Sequence, residues 1–226
     1  MAKTPENQLF CEQTHGPEHP NTATALNNLG LLLQDQERYQ EAEQAYLRAG
    51  AIDEKAYGPE SHVMATDLSN LGGLYIDQER DAEAVPLLQR ALELAEQAFG
   101  PDHPLVSKTL NNLASAYDHL DRREEAEQLY VRSLRIDERV YGQDHPQVAI
   151  ALNNLATSLT MRRLYQHAEP LFQRSLAIRE KALGPHHPAT AAAVENLAYL
   201  YRLSNRPDAA AEVERRAEQL RTTTRG

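Results

Sequence analysis

"GPDHP", residues 100–104, has near-copies elsewhere in the chain: GPEHP at 16–20, GPESH at 58–62, GQDHP at 142–146 and GPHHP at 184–188. The glycines stand at 16, 58, 100, 142 and 184, a constant spacing of 42 residues. A fixed period of this length marks an array of supersecondary units, none of which can bury a core alone. The string itself admits three readings: a metal site, a phosphate loop, or punctuation between helices. The residues between the copies separate them.

Five units follow without a gap, 16–57, 58–99, 100–141, 142–183 and 184–226, after a stub at 1–15. In the third, LVSKTLNNLASAYDHL (105–120) leads through the polar break DRRE to EAEQLYVRSLRIDERVY (125–141). Leu110, Leu113 and Tyr117 fall at i, i+3 and i+7, one face of a helix, and Ala126, Tyr130, Ser133 and Leu134 continue that logic. Alternating β-branched runs are absent, so each unit reads as helix–turn–helix. Small residues recur at matched places: Gly30, Gly72, Ala114, Ala156 and Ala198 in the first helix, and Ala42, Ala84, Ala126, Ala168 and Ala210 in the second. Large ones flank them, with Tyr46, Leu88, Tyr130 and Phe172 four places after the second-helix alanine. Small against large is what two closely packed helices require. At the ends, residues 8–15 match the last turns of a second helix, with Phe10 in the place of Ile136. Glu214 replaces the recurrent aromatic in the last unit, giving that helix the polar outer side of a cap, and the tail RTTTRG at 221–226 reads as frayed.

This small–aromatic–small spacing resembles that of tetratricopeptide repeats. The 42-residue period, with LNNLA, EAE and the GxDHP connector, is similar to the subclass found in kinesin light chains; residues 151–188 match it best. The resemblance implies an all-α, right-handed superhelical solenoid of five repeats, and it spans 16–226. Tryptophan, with which many such repeats begin, is absent; Leu26, Leu68, Leu110, Leu152 and Val194 hold its place, as in the light-chain subclass.

The net charge of −10 over 226 residues excludes nucleic acid or an anionic membrane as the main partner. No apolar run approaches a membrane span, and the N-terminus lacks a signal-peptide core. Cys11 is the only cysteine, so no intramolecular disulfide forms and a cytoplasmic location is expected.

Nine histidines invite a metal reading, but most lie in connectors one repeat apart and cannot converge on one ion. Asp102 or His103 can instead cap the helix that follows, with Pro104 in its first turn; in GPESH, Ser61 offers itself as the cap. Gly100 would close the preceding helix in a left-handed conformation. Templates such as GxxxxGK[ST], HExxH, GxSxG and CxxC are missing, and the acids at 124, 125 and 127 read as a solvated face. Neither an enzyme nor a cofactor or metal is expected.

The asparagines carry the functional expectation. The second residue of the NN position is Asn28, Asn70, Asn112, Asn154 or Asn196 in every unit, and Asn27, Asn111 and Asn153 precede it in three. Asparagine is a poor helix-interior residue, so five copies imply a use. In an array of this kind the first helices line a concave face, where an amide can grip the backbone of an extended peptide. The same amides could equally lock one repeat to the next, and either residue of each pair could serve either purpose. Leu31, Ile76, Lys108, Ile150 and Tyr199 are expected beside them, with Thr24, Asp35, Thr66, Gly73, Asp77, Ser115, Asp118 and Thr157 completing the lining. A carboxylate clamp would need clustered bases, and only Lys108 and Arg202 are at hand. The chain is therefore expected to be an adaptor for a protein or peptide partner. The alternative is a structural module that spaces other domains or self-associates through the array ends.

Overall fold

The computed structural model describes residues 5–223, with side chains from Gln8 to Gln219 except Leu9. Among them run eleven helices and no strand: α1 (Pro5–His15), α2 (Pro20–Asp35), α3 (Tyr39–Tyr57), α4 (His62–Asp77), α5 (Asp81–Phe99), α6 (Pro104–His119), α7 (Arg123–Tyr141), α8 (Pro146–Met161), α9 (Tyr165–Leu183), α10 (Pro188–Leu203) and α11 (Pro207–Thr223). From α2 to α10, first helices of 16 residues alternate with second helices of 19, each starting 42 residues after its predecessor of the same kind. Within each unit, consecutive helices pack as hairpins in the manner of tetratricopeptide repeats. The chain divides into two compact units, residues 1–122 and 123–226, with the boundary in the turn between α6 and α7. The frayed tail expected at 221–226 is helical as far as Thr223, and 224–226 lie outside the described residues.

In the 1–122 unit, α2 and α3 close on each other because Gly30 has no side chain. A Cβ there would stand 2.5 Å from Cε1 of Tyr46. Gly72 repeats the arrangement between α4 and α5, where a Cβ would meet Leu88 Cγ at 2.6 Å. In the 123–226 unit, Ala156 and Phe172 are the corresponding buried pair of α8 and α9.

The connectors show what the histidines do. His19, His103, His145 and His187 are the N-cap residues of α2, α6, α8 and α10. Each Nδ1 accepts from the backbone N–H two residues on, at 3.1, 3.2, 3.1 and 3.1 Å. The imidazoles of His103 and His145 also stack on Phe99 and Tyr141, with centroids 4.4 and 4.8 Å apart. His103, not Asp102, is thus the cap. Ser61 occupies the cap position of α4 but makes no capping bond, and its buried Oγ has no partner. Gly100 has φ 83° and ψ 166°, extended backbone at positive φ that only glycine adopts readily, instead of the left-handed helical conformation expected.

A second left-handed position was not expected. The turn inside each hairpin places Glu37, Glu79, Asp121, Arg163 or Asn205 at φ close to 60°. The next residue's N–H reaches back to a carbonyl five residues earlier, as in Arg80 N to Tyr75 O at 2.8 Å, which closes the first helix. The Arg80 and Arg122 guanidiniums then lie 3.9 Å over the Tyr75 and Tyr117 rings.

The acids of the second helices are not uniformly solvated. Glu43 and Glu169 accept from Arg80 at 2.9 Å and from Arg206 at 2.6 Å, across the joint to the following hairpin. Glu127 is paired with Arg162 in the same way, and Glu124 lies 3.3 Å from that guanidinium. The solvated acidic face expected at 124, 125 and 127 is thus engaged by Arg162 at Glu124 and Glu127.

Candidate interaction face

The first helices carry the predicted site residues, and the two units use them differently. In the 1–122 unit the polar side chains tie neighbouring first helices together. Asn27 Nδ2 donates to Asp67 Oδ1 at 2.6 Å, and Gln34 Nε2 to Asp77 Oδ2 at 2.6 Å, joining α2 to α4. Lys108 Nζ donates to Asn70 Oδ1 at 2.8 Å, Thr109 Oγ1 to Ser69 Oγ at 3.2 Å, and Asn112 Nδ2 to the Ser69 carbonyl at 3.4 Å, joining α4 to α6. Asn111 Nδ2 turns to its own helix, at 3.2 Å from the Ser107 carbonyl. Gly73 leaves room for Asn112, whose Nδ2 would be 3.2 Å from a Cβ at that place. Asn28 is exposed, while Leu31 and Ile76 are half-buried.

In the 123–226 unit, Asn196 Nδ2 donates to Asn153 Oδ1 at 2.8 Å and so links α10 to α8, with Asn154 half-buried beside them. Around this link the exposed face turns apolar. Ile150 and Met161 of α8 are 43% and 57% exposed, Tyr199 of α10 is 52% exposed, and Leu203 is exposed one turn on. Helical spacing puts Ile150, Thr157 and Met161 on one side of α8, at i, i+7 and i+11. Met161 and Leu203 were missed by the sequence reading, although they continue the column of Asp35 and Asp77 at the 42-residue period. Extending that column would have found them.

The structure thus brings Asn27, Asn70, Asn112, Asn153 and Asn196 into inter-helix bonds, leaves Asn28 to solvent, and surfaces Ile150 and Tyr199. Among the described residues there is no group of three or more His, Cys, Asp or Glu that could hold a metal ion. His119 Nδ1 lies 2.8 Å from Asp81 Oδ1, and Cys11 is a half-buried free thiol. No helix among the described residues is long and apolar enough to cross a membrane.

The sequence profile of the tetratricopeptide repeat matches residues 8–55, 62–139, 119–181 and 147–223. No curated protein matches the chain. Solved structures do. BtubC (BKLC) from P. vanneervenii superposes with a TM-score of 0.79 at 22% identity, over 98% of this chain and 87% of that one. A putative kinesin light chain from Podosopora anserina, with nearly identical TPR-like repeats, gives 0.75 at 24% identity, over 92% and 98%. A Rap protein complexed with Competence and Sporulation Factor gives 0.77 at 16% identity, over 94% of this chain but only 57% of its own. At these identities the likeness is one of fold.

Proposed function

The chain belongs to the tetratricopeptide repeat family, and from that premise we propose that it is a non-catalytic adaptor whose first helices hold a partner peptide or helix. The family is one of protein-interaction scaffolds, and a Rap protein of the same fold is known in complex with Competence and Sporulation Factor. The observation that carries the reading is the exposed apolar set Ile150, Met161 and Tyr199 on α8 and α10, bordered by the Asn153–Asn196 amide pair. Apolar side chains of that size favour leaving water, about 1.5–3 kcal/mol each when fully covered. The neighbouring amides offer donors and acceptors for a partner's backbone. In the 1–122 unit, taken by itself, Asn28, Thr24 and Thr66 are exposed polar residues and Leu31 and Ile76 are half-buried. Asn70, Asn112 and Lys108 set the spacing of its helices. A cytoplasmic setting suits the single thiol.

A displayed random-peptide library panned on the protein tests this. Peptides enriched on the wild type should bind the Ile150→Asp, Tyr199→Ser double variant at least about ten-fold more weakly, the loss expected for one covered apolar anchor. Enrichment of peptides indifferent to both substitutions would place the contact elsewhere and sink the proposal.

A second reading rests on one residue. Phe10 of α1 is 63% exposed, whereas Ile52, Leu94, Ile136 and Ile178 at the matched places are buried. An apolar ring so placed favours self-association through the array end. Sedimentation velocity over a hundred-fold range of concentration, on wild type and Phe10→Ser, decides it. A wild type that stays monomeric throughout removes this reading.

A further inference from the structure

The joint between α3 and α4 differs from its later counterparts in a way that neither the repeat nor a binding face explains. At the place matched by Leu92, Leu134 and Leu176, α3 has Gly50, with Asp67 Cβ 4.0 Å from where its Cβ would be. Asp67 itself stands where the later first helices have Thr109, Ala151 and Ala193. Asp53 faces it from α3, one turn after Gly50, close enough for each carboxyl to act on the acidity of the other. Asp53 is only 3% exposed and Asp67 only 4%. A leucine-filled joint has here become a buried pair of acids.

Two buried carboxylates side by side repel, and neither can donate a hydrogen bond. The charged residues of the elements around the pair are engaged elsewhere: Lys55 of α3 with Glu18, His62 of α4 against Phe99, and Lys108 of α6 with Asn70. Glu54 of α3 is exposed, and α2 sends only the neutral amide of Asn27, which donates to Asp67 Oδ1. Asp67 Oδ2 is left buried without a donor. A proton on Asp53 supplies the missing donor. We infer that the α3–α4 joint is a proton-operated latch, closed while Asp53 and Asp67 share one proton and loosened when that proton passes to solvent.

The acid strengths agree in direction. Burial, reinforced by the Asp67 carboxyl, pushes Asp53 up to about 6 from an ordinary 3.8. Burial also raises Asp67, against the opposing bond from Asn27. The folded chain therefore binds more protons than the unfolded one between these values. The contribution is fully present below about pH 4 and is lost as pH rises through about 6.

Amide hydrogen exchange on the intact protein tests the latch, read as protection factors for the C-terminal half of α3 at pH 5 and pH 7.5. In the wild type, opening there should increase about ten-fold or more relative to α5, since each unit of pKa shift is worth a factor of ten. Asp53→Asn supplies a permanent donor to Asp67 and should abolish the increase. Should that variant prove too unstable to measure, Asp67→Asn leaves a single carboxyl and should flatten the same dependence. A wild type without the increase, or a variant that retains it, overturns the inference. The test is independent of what the exposed face binds.

Discussion

The Tyr46 ring occupies the space that a methyl group on residue 30 would fill: a Cβ on Gly30 would lie 2.5 Å from its Cε1 and 2.8 Å from Cζ. The same ring directs its hydroxyl to Gln34 Oε1 at 3.0 Å, so it cannot swing aside without giving up that bond.

Gly30→Ala is therefore expected to destabilise the protein by about 1–3 kcal/mol, the range for an overpacked core, despite the better helix propensity of alanine. Gly72→Ala should cost less, because the opposing Leu88 can change rotamer where a buried ring cannot. Urea midpoints of the two variants, taken at equal m, measure the order. A Gly30→Ala protein as stable as the wild type would refute the steric account.

Glu79 offers the opposite experiment. It is exposed and holds φ 59°, a region that costs a residue with a Cβ about 1 kcal/mol or more. Glu79→Gly relieves that strain and loses part of the gain to the freer unfolded chain. A net stabilisation of about 0.5 kcal/mol is expected. Asn205→Gly, at the matched turn, should gain less because asparagine tolerates this conformation. Thermal unfolding of both variants checks the ranking.

The four capping histidines predict a chemistry-free role. Removing one, as in His103→Ala, leaves the Leu105 N–H without its 3.2 Å acceptor and should cost about 1 kcal/mol. His103→Asn keeps a short acceptor at the cap and should recover most of the loss, though not the stacking on Phe99. Zinc should leave the Tm of the wild type unchanged. A zinc-dependent rise abolished by His103→Asn would return the connectors to metal binding.

Much of this was legible because the period did the aligning. Once units of 42 were laid together, Gly30 and Gly72 against Tyr46 and Leu88 announced the close approach of each hairpin. The connector histidines could be read as caps for the same reason. The left-handed turn at Glu37, Glu79, Asp121 and Arg163 was hidden because no glycine marks it; the carbonyls of the preceding turn impose it, whatever the side chain. The asparagines were harder still, since the use of each amide depends on a residue one repeat away. Asn70 is claimed by Lys108, whereas in the preceding repeat the residue matched to Lys108 is Thr66, which lacks the long ammonium arm that could reach Asn28. The same residue at matched places thus ends in different surroundings. Only neighbours across the joint, not periodicity, decide which asparagine is left exposed.

Glu169 gives the second pH-dependent expectation. Its carboxylate accepts from Arg206 at 2.6 Å and from the Tyr201 hydroxyl at 3.0 Å, with the guanidinium 4.6 Å above the Tyr201 ring. The hydrogen bond from Arg206, aided by Tyr201, holds the carboxyl below its usual range. A depressed acid stabilises the fold above its unfolded value and loses that contribution as pH falls through the folded one. Glu169→Gln should then lower stability at pH 7 by about 0.5–1 kcal/mol, a modest figure because Arg206 is half exposed and screened by solvent. As pH falls through that lowered folded value the wild-type carboxyl takes up its proton and the two proteins should converge. This slope runs opposite to that of Asp53, which weakens the fold as pH rises. Melting curves of Glu169→Gln and Asp53→Asn over pH 3.5–7.5 therefore separate the two acids by sign alone. A Glu169→Gln deficit that persists undiminished at pH 3.5 would show that shape and packing, not charge, hold this joint.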